Sequence, residues 1–263
     1  MTDRFTTLHD DGVLELTVSL TTAGNSLDHE AVLAGRAALQ SVMRGHLKAR
    51  SVLLTGRGDN FCAGGNVKHF HDAPQRGEFL RGLAHDLHGL LSDLHTTALP
   101  TVAAAQGWAA GAGMSIVLHA DFAVGGPSSK LRPAYPGIGL SPDGGMSWLL
   151  PRIVGLGRAR TILLRDEVLD AQSALELSIL SELVDDGQVK PRARAIAAEL
   201  AAGPSGSYAA IRRLLFASSS NTLSEQLHAE AETIAAVAVT GEGIEGVNAF
   251  AEKRSPDFPS ARG

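Results

Sequence analysis

Hydrophobic and polar positions along the chain fall into two kinds of segment. Residues 13–18, Val-Leu-Glu-Leu-Thr-Val, are short and β-branched; a polar turn at 21–26 follows, and then 27–45 carries apolar residues at helical spacing. Residues 51–55 form a compact apolar strand that ends in the glycine-rich run Gly56-Arg57-Gly58-Asp59-Asn60. A helix is predicted over 79–94, running on to Pro100, with a buried strand at 101–105 and a further helix at 111–118. This strand-then-helix alternation predicts an α/β fold.

The Gly- and Pro-rich segment 130–145 reads as a loop, and beyond it the pattern turns helical, at 158–165, 171–177, 192–202, 208–217 and 223–239. Gly203-Pro204-Ser205-Gly206 interrupts that run. The expected division is therefore a core over 1–200 and a C-terminal helical region over 201–263.

Composition supports a sizeable folded core: 44% of the 263 residues are hydrophobic and 19% charged. With 23 Lys and Arg against 28 Asp and Glu, the net charge of −5 leaves no cationic excess for nucleic acid or an anionic membrane. The lone Cys62 cannot form an internal disulfide, and Asp3, Asp10 and Asp11 stand where a signal peptide needs basic and apolar residues. The expectation is a cytoplasmic protein. The apolar stretch 98–124 is broken by Gln106, His119 and Asp121, so it reads as buried strand and helix, not as a membrane span.

Several chemical signals fail on inspection. Gly155-Leu156-Gly157-Arg158-Ala159-Arg160 carries Arg where a dinucleotide fingerprint needs its third glycine, and 111–116 fails at the same place. His69, His71, His85 and His88 are joined by no Cys or carboxylate cluster at metal-ligand spacing, and read as surface or loop histidines with no metal. Neither a Gly-x-Ser-x-Gly elbow nor a P-loop is present.

Two glycine turns are more informative. Cys62-Ala63-Gly64-Gly65-Asn66 follows one strand, and Ala109-Ala110-Gly111-Ala112-Gly113 follows another and enters a helix. Both expose bare backbone N–H groups, and the unpaired N–H groups of a helix start suit an oxyanion developing on a carbonyl. The same small residues also serve tight packing.

With their surroundings, these turns resemble the signatures of the crotonase superfamily, the enoyl-CoA hydratases and isomerases. The resemblance runs in order through Leu53-Leu54-Thr55-Gly56-Arg57-Gly58-Asp59-Asn60-Phe61-Cys62-Ala63-Gly64-Gly65-Asn66 and Gln106-Gly107-Trp108-Ala109-Ala110-Gly111-Ala112-Gly113. It continues through Ile138-Gly139-Leu140-Ser141-Pro142-Asp143-Gly144-Gly145, Leu150-Pro151-Arg152-Ile153-Val154-Gly155 and the terminal residues 249–258. It implies a crotonase-like spiral of ββα repeats with a C-terminal helical region that assembles trimers or dimers of trimers. It also implies an acyl-CoA thioester substrate, no cofactor beyond its CoA moiety, and an oxyanion site at the N–H groups of Gly65 and Ala112.

The two glutamate slots of the family's hydratases fall on Ser115 and Tyr135, neither of them a carboxylate. One acid remains: Asp143 matches the position where isomerase branches carry a single Asp or Glu, and 3-enoyl to 2-enoyl isomerisation needs one base. The alternative for Asp143 is a cap on the helix starting near Gly144. By the same resemblance Asn25, Ser26, Leu27, Ala63 and Lys68 fall along the CoA path, with Phe250 and Lys253 reaching the CoA of a neighbouring subunit. Asp121 is expected to be structural. Other readings are hydration or thioester hydrolysis with His69, His71 or Tyr135 in the pocket, and a CoA-thioester binder of low turnover.

Overall fold

Val52, Leu53 and Leu54 follow one another in residues 51–56 and so need burial on both faces, and the fold supplies it. In the computed structural model, which describes residues 3–261, this segment is strand β3 (Ser51–Gly56) of a six-stranded sheet. It lies between β2 (Val13–Ser19) and β4 (Thr101–Ala104), with β6 (Phe122–Gly125) and β9 (Glu182–Leu183) beyond; these neighbours all pair in parallel. The edge strand β1 (Thr6–Leu8) pairs antiparallel with β2.

Alternation then divides the side chains between two cores. Val52 and Leu54 join Leu14, Leu16 and Ala103 in the larger one, while Leu53 joins Val13, Val102 and Val124 on the opposite face. The first face is covered by α1 (His29–Met43) and α3 (Arg76–Thr97), and the second by α8 (Val189–Ala202) through Val189, Ala193 and Ala197.

A second, three-stranded sheet consists of β5 (Trp108–Ala110), β7 (Lys130–Arg132) and β8 (Leu169–Asp170). Cys62 adds a bridge to Ala109 on its edge. Three successive turns of chain, β3 with the Cys62 bridge, β4 with β5 and β6 with β7, therefore place one strand in the long sheet and a shorter segment in the small sheet before a helix, in keeping with the α/β spiral expected. The helices between are α2 (Val67–Asp72), α4 (Ala112–Leu118), α5 (Met146–Val154), α6 (Leu156–Leu164) and α7 (Ala171–Glu176), and the chain closes with α9 (Ser205–Ala217), α10 (Leu223–Ala238) and α11 (Gly241–Glu252).

Most predicted elements lie within a few residues of their expected bounds, and the starts have visible causes. Asp28 accepts from the N–H groups of Glu30 and Ala31 to start α1, and Thr222 with Glu225 forms a capping box on α10. Two expectations need correction. Segment 130–145 is not all loop, because its first three residues are β7, paired with both β5 and β8. The helix α11 was missed because Gly241, Gly243 and Gly246 weaken its propensity, and packing on α10 stabilises it instead. No helix of the described residues is long and apolar enough to cross a membrane.

Candidate active site

Backbone-to-backbone packing brings the two glycine turns together. Cys62 N–H donates to Trp108 O at 3.0 Å and Ala110 N–H to Cys62 O at 2.9 Å. A Cβ on Gly113 would lie 2.2 Å from Cys62 O, and one on Gly64 would lie 2.9 Å from Ala110 O. Only glycine permits this approach. Beside these contacts stand Gly65, next after Gly64, and Ala112, just before Gly113, whose N–H groups have no backbone acceptor outside helices and strands among the described residues. Ala112 opens α4 after Gly111, so its N–H is one of the helix's unpaired donors.

The segment expected along the CoA path is laced to the first turn. Ala63 N–H donates to Asn25 O and Leu27 N–H to Gly64 O, each at 2.7 Å. The Asn25 side chain is itself engaged, donating to Ser19 Oγ and to the carbonyls of Arg57 and Asn60. Asn25 and Ser26 are buried, so the segment shapes the loop 57–60 and presents backbone more than side chains. Lys68 is exposed on α2, with its N–H bonded to Asn66 Oδ1. Phe250 and Lys253 lie at the far end of the chain on α11 and its C-cap, where Phe250 is 88% exposed.

The Asp143 carboxylate does not cap α5. That helix starts at Met146 with Gly145 as its N-cap and has no side-chain cap; the Met146 N–H bonds the Asp143 carbonyl instead. The carboxylate is held by Tyr135, whose hydroxyl donates to Asp143 Oδ1 at 2.6 Å. The hydroxyl of Ser115 donates to the Asp143 carbonyl at 3.0 Å and lies 3.3 Å from the Tyr135 oxygen. Burial, reinforced by the negative charge of Asp143, pushes the Tyr135 phenol well above its ordinary pKa. Tyr135 is thus a fixed hydrogen-bond donor. Ser115 and Tyr135 thus both hold Asp143, the first through its backbone carbonyl and the second through its carboxylate.

His69 and His71 are exposed on α2, and His69 Nε2 accepts from the Asn66 amide at 3.3 Å. Cys62 is fully buried, and burial pushes its thiol up to about 12. Asp121 accepts from the Thr101 N–H at 2.7 Å and from Arg212 Nε at 3.0 Å.

Three histidines sit beside the Asp143 turn, and one of them, His88, is exposed on α3, the surface position expected of it. His88 Nε2 accepts from the Gly144 N–H at 3.0 Å, His119 Nε2 lies 2.9 Å from Gly144 O, and His95 Nε2 lies 2.8 Å from His119 Nδ1. The seven-residue spacing of His88 and His95, two turns of one helix face, was the available signal. No local pattern announces the ion pair of Arg132 and Asp166 at 2.6 Å, in which Asp166 also accepts from the Ala134 N–H at 2.7 Å.

Residues 9–261 match the sequence profile of the enoyl-CoA hydratase/isomerase family. The chain belongs to that family. A probable enoyl-CoA hydratase of Rhodobacter capsulatus is 38% identical over 212 residues, 80% of this chain and 81% of that protein. The 1,2-epoxyphenylacetyl-CoA isomerase of Escherichia coli is 33% identical over 254 residues, 95% of each chain. Among solved structures, an enoyl-CoA hydratase from Polaromonas sp. JS666 superposes with a TM-score of 0.87 at 34% identity, over 95% of this chain and 97% of that one. Enoyl-CoA hydratase/isomerase membership makes an acyl-CoA thioester the consistent substrate class, and hydratase and isomerase names both occur among the relatives.

Proposed function

We propose that this enzyme isomerises 3-enoyl-CoA esters to 2-enoyl-CoA esters, with Asp143 as proton shuttle and the N–H groups of Gly65 and Ala112 as oxyanion donors. The Asp143 carboxylate takes a proton from C2; the electrons of that C–H bond move through the thioester and place a negative charge on its oxygen, where the two donors meet it. Returning the proton to C4 moves the double bond from C3–C4 to C2–C3 and restores the carboxylate. One base suffices, and no water is consumed. A preorganised donor of this kind is worth about 3–4 kcal/mol of barrier.

The observation that carries this reading is the 2.6 Å hydrogen bond from Tyr135 to Asp143, with Ser115 holding the same residue's carbonyl. Hydration needs groups that position and deprotonate water, and the places for them carry a phenol and a hydroxyl already committed to Asp143. Assembly as a homotrimer or dimer of trimers belongs to the same proposal. It is supported by α9 and α10, in which no residue is fully buried within the chain, and by the exposure of Ile234 at 72% and Val239 at 77%. The lone buried Cys62 supports a reducing, cytoplasmic setting.

The test is incubation with 2-enoyl-, 3-enoyl- and cyclic acyl-CoA esters, with products separated by chromatography and weighed by mass spectrometry. The expected product from a 3-enoyl ester has unchanged mass and a shifted double bond, and Asp143→Asn abolishes it while CoA-ester binding persists. A product heavier by one water, free CoA from hydrolysis, or full turnover by Asp143→Asn overturns the proposal.

A further inference from the structure

The peptide groups that follow Asp143 are held with unusual completeness. The Asp143 carbonyl accepts from Ser115 Oγ and from the Met146 N–H, the Gly144 N–H donates to His88, and the Gly144 carbonyl faces His119. A carbonyl only accepts, so His119 Nε2 carries a proton and its Nδ1 is bare, and His95 Nε2–H donates to that Nδ1. The N–H donor on Gly144 likewise requires a bare Nε2 on His88.

The turn needs this grip. Gly144 and Gly145 are consecutive left-handed residues, at φ +59° and +75°, and a Cβ on Gly144 would lie 2.7 Å from Ser115 Cβ. No hydrogen bond of the described residues joins any of the three imidazoles to the Asp143 carboxylate. A cleft of about 1020 Å³ borders Gly144 and Gly145, and neither Asp143, Gly65 nor Ala112 lines it.

We infer that His88 is a positioning residue, which directs the Asp143 carboxylate by accepting the Gly144 N–H through an unprotonated Nε2 while His119 locks the carbonyl on the other side. The inference rests on Asp143 being the proton shuttle. The charged and titratable groups sharing the cleft with His88 are His95 on α3, His119 and Asp121 at the end of α4, Arg152 on α5, and Arg212 and Arg213 on α9. His95 and His119 are both held below the usual histidine range, by burial first and then by neighbouring charge, including that of Arg212.

Two variants decide the matter. His88→Leu removes the acceptor, whereas His88→Gln places an Oε1 near the lost Nε2 that accepts at every pH. With a 3-enoyl-CoA ester, His88→Leu is expected to lower kcat by about 10- to 100-fold, the scale of a small misplacement of a reacting group. KM should move by less than about 3-fold, because the oxyanion donors and CoA path are untouched. His88→Gln should restore most of kcat. Equal kcat in the two variants overturns the inference.

A substrate-free readout separates this from the reaction proposed above. Hydrogen exchange by mass spectrometry should show the peptide carrying Gly144 exchanging about 10-fold faster in His88→Leu, and at the wild-type rate in His88→Gln. Unchanged exchange in His88→Leu overturns the grip whatever the reaction proves to be. Faster exchange without isomerase turnover in wild type instead sustains the grip and sinks the assigned chemistry.

Discussion

The hydroxyl of Tyr135 donates a 2.6 Å hydrogen bond to Asp143 Oδ1, joining two residues eight apart across the turn formed by Pro136–Ile138. Removing it is the most direct probe of the site. Tyr135→Phe keeps the ring but frees the carboxylate, and a hydrogen bond to a charged group is worth about 1.5–3 kcal/mol. Isomerase kcat should fall by about 10-fold or more in steady-state assays. Ser115→Ala should do less, because the Asp143 carbonyl keeps its 3.2 Å bond from the Met146 N–H. A Tyr135→Phe enzyme with wild-type kcat would show that this contact does not serve catalysis.

Substitutions at two glycines of the paired turns should separate function from stability. A Cβ on Gly65 meets Phe70 Cζ at 2.3 Å, the far end of a ring that can swing. Gly65→Ala should therefore lower kcat/KM, with part of the loss recovered in the Gly65→Ala, Phe70→Ala double variant. Gly113→Ala instead drives its Cβ into the Cys62 carbonyl, backbone that cannot swing. It should destabilise the fold by about 1–3 kcal/mol in urea titrations.

Acid should weaken the fold through His95. Burial, then the proximity of His119 and Arg212, lowers its pKa from 6.5 to about 4 in the folded chain. The unfolded chain therefore binds the extra proton first as pH falls, so the stability His95 contributes is complete above about 6.5 and drains away towards 4. Melting temperatures recorded from pH 7 to 4.5 should decline, and the slope should be shallower in His95→Leu. An identical slope in that variant would remove His95 as the cause.

The loop carrying Tyr135 depends on Asp166. Burial opposes its charge, but bonds from Arg132 and from the N–H groups of Ala134 and Gly137 outweigh that and hold its pKa below the usual carboxylate range. Its contribution is thus present above about pH 4 and lost only as pH falls further. Asp166→Ala should lower stability by about 1–3 kcal/mol at neutral pH and reduce kcat by loosening Tyr135. Unchanged kcat in a folded Asp166→Ala enzyme would detach this ion pair from the site.

Sedimentation at micromolar concentration should show three or six chains together. Ile234→Asp, placed on the exposed face of α10, should shift the enzyme towards single chains. A wild-type species of 27.4 kDa would overturn the proposed assembly and with it any role for Phe250 and Lys253 at a neighbour's CoA.

Local chemistry is what the sequence could disclose. The apolar run at 51–55, the caps before α1 and α10, and the glycines at 64, 65, 111 and 113 each act over a few residues, so their patterns survive in one dimension. The family motifs, the fold class, the isolation of Asp143 as an acid, and the absence of carboxylates at 115 and 135 were legible for that reason. Tertiary structure alone decided what Asp143 touches. Ser115 reaches it from 28 residues away, His88 reaches Gly144 from 56, and Asp166 reaches Ala134 from 32. No local propensity encodes a hydrogen bond across such separations; it exists only once the sheets and helices have brought those backbone segments to within 3 Å.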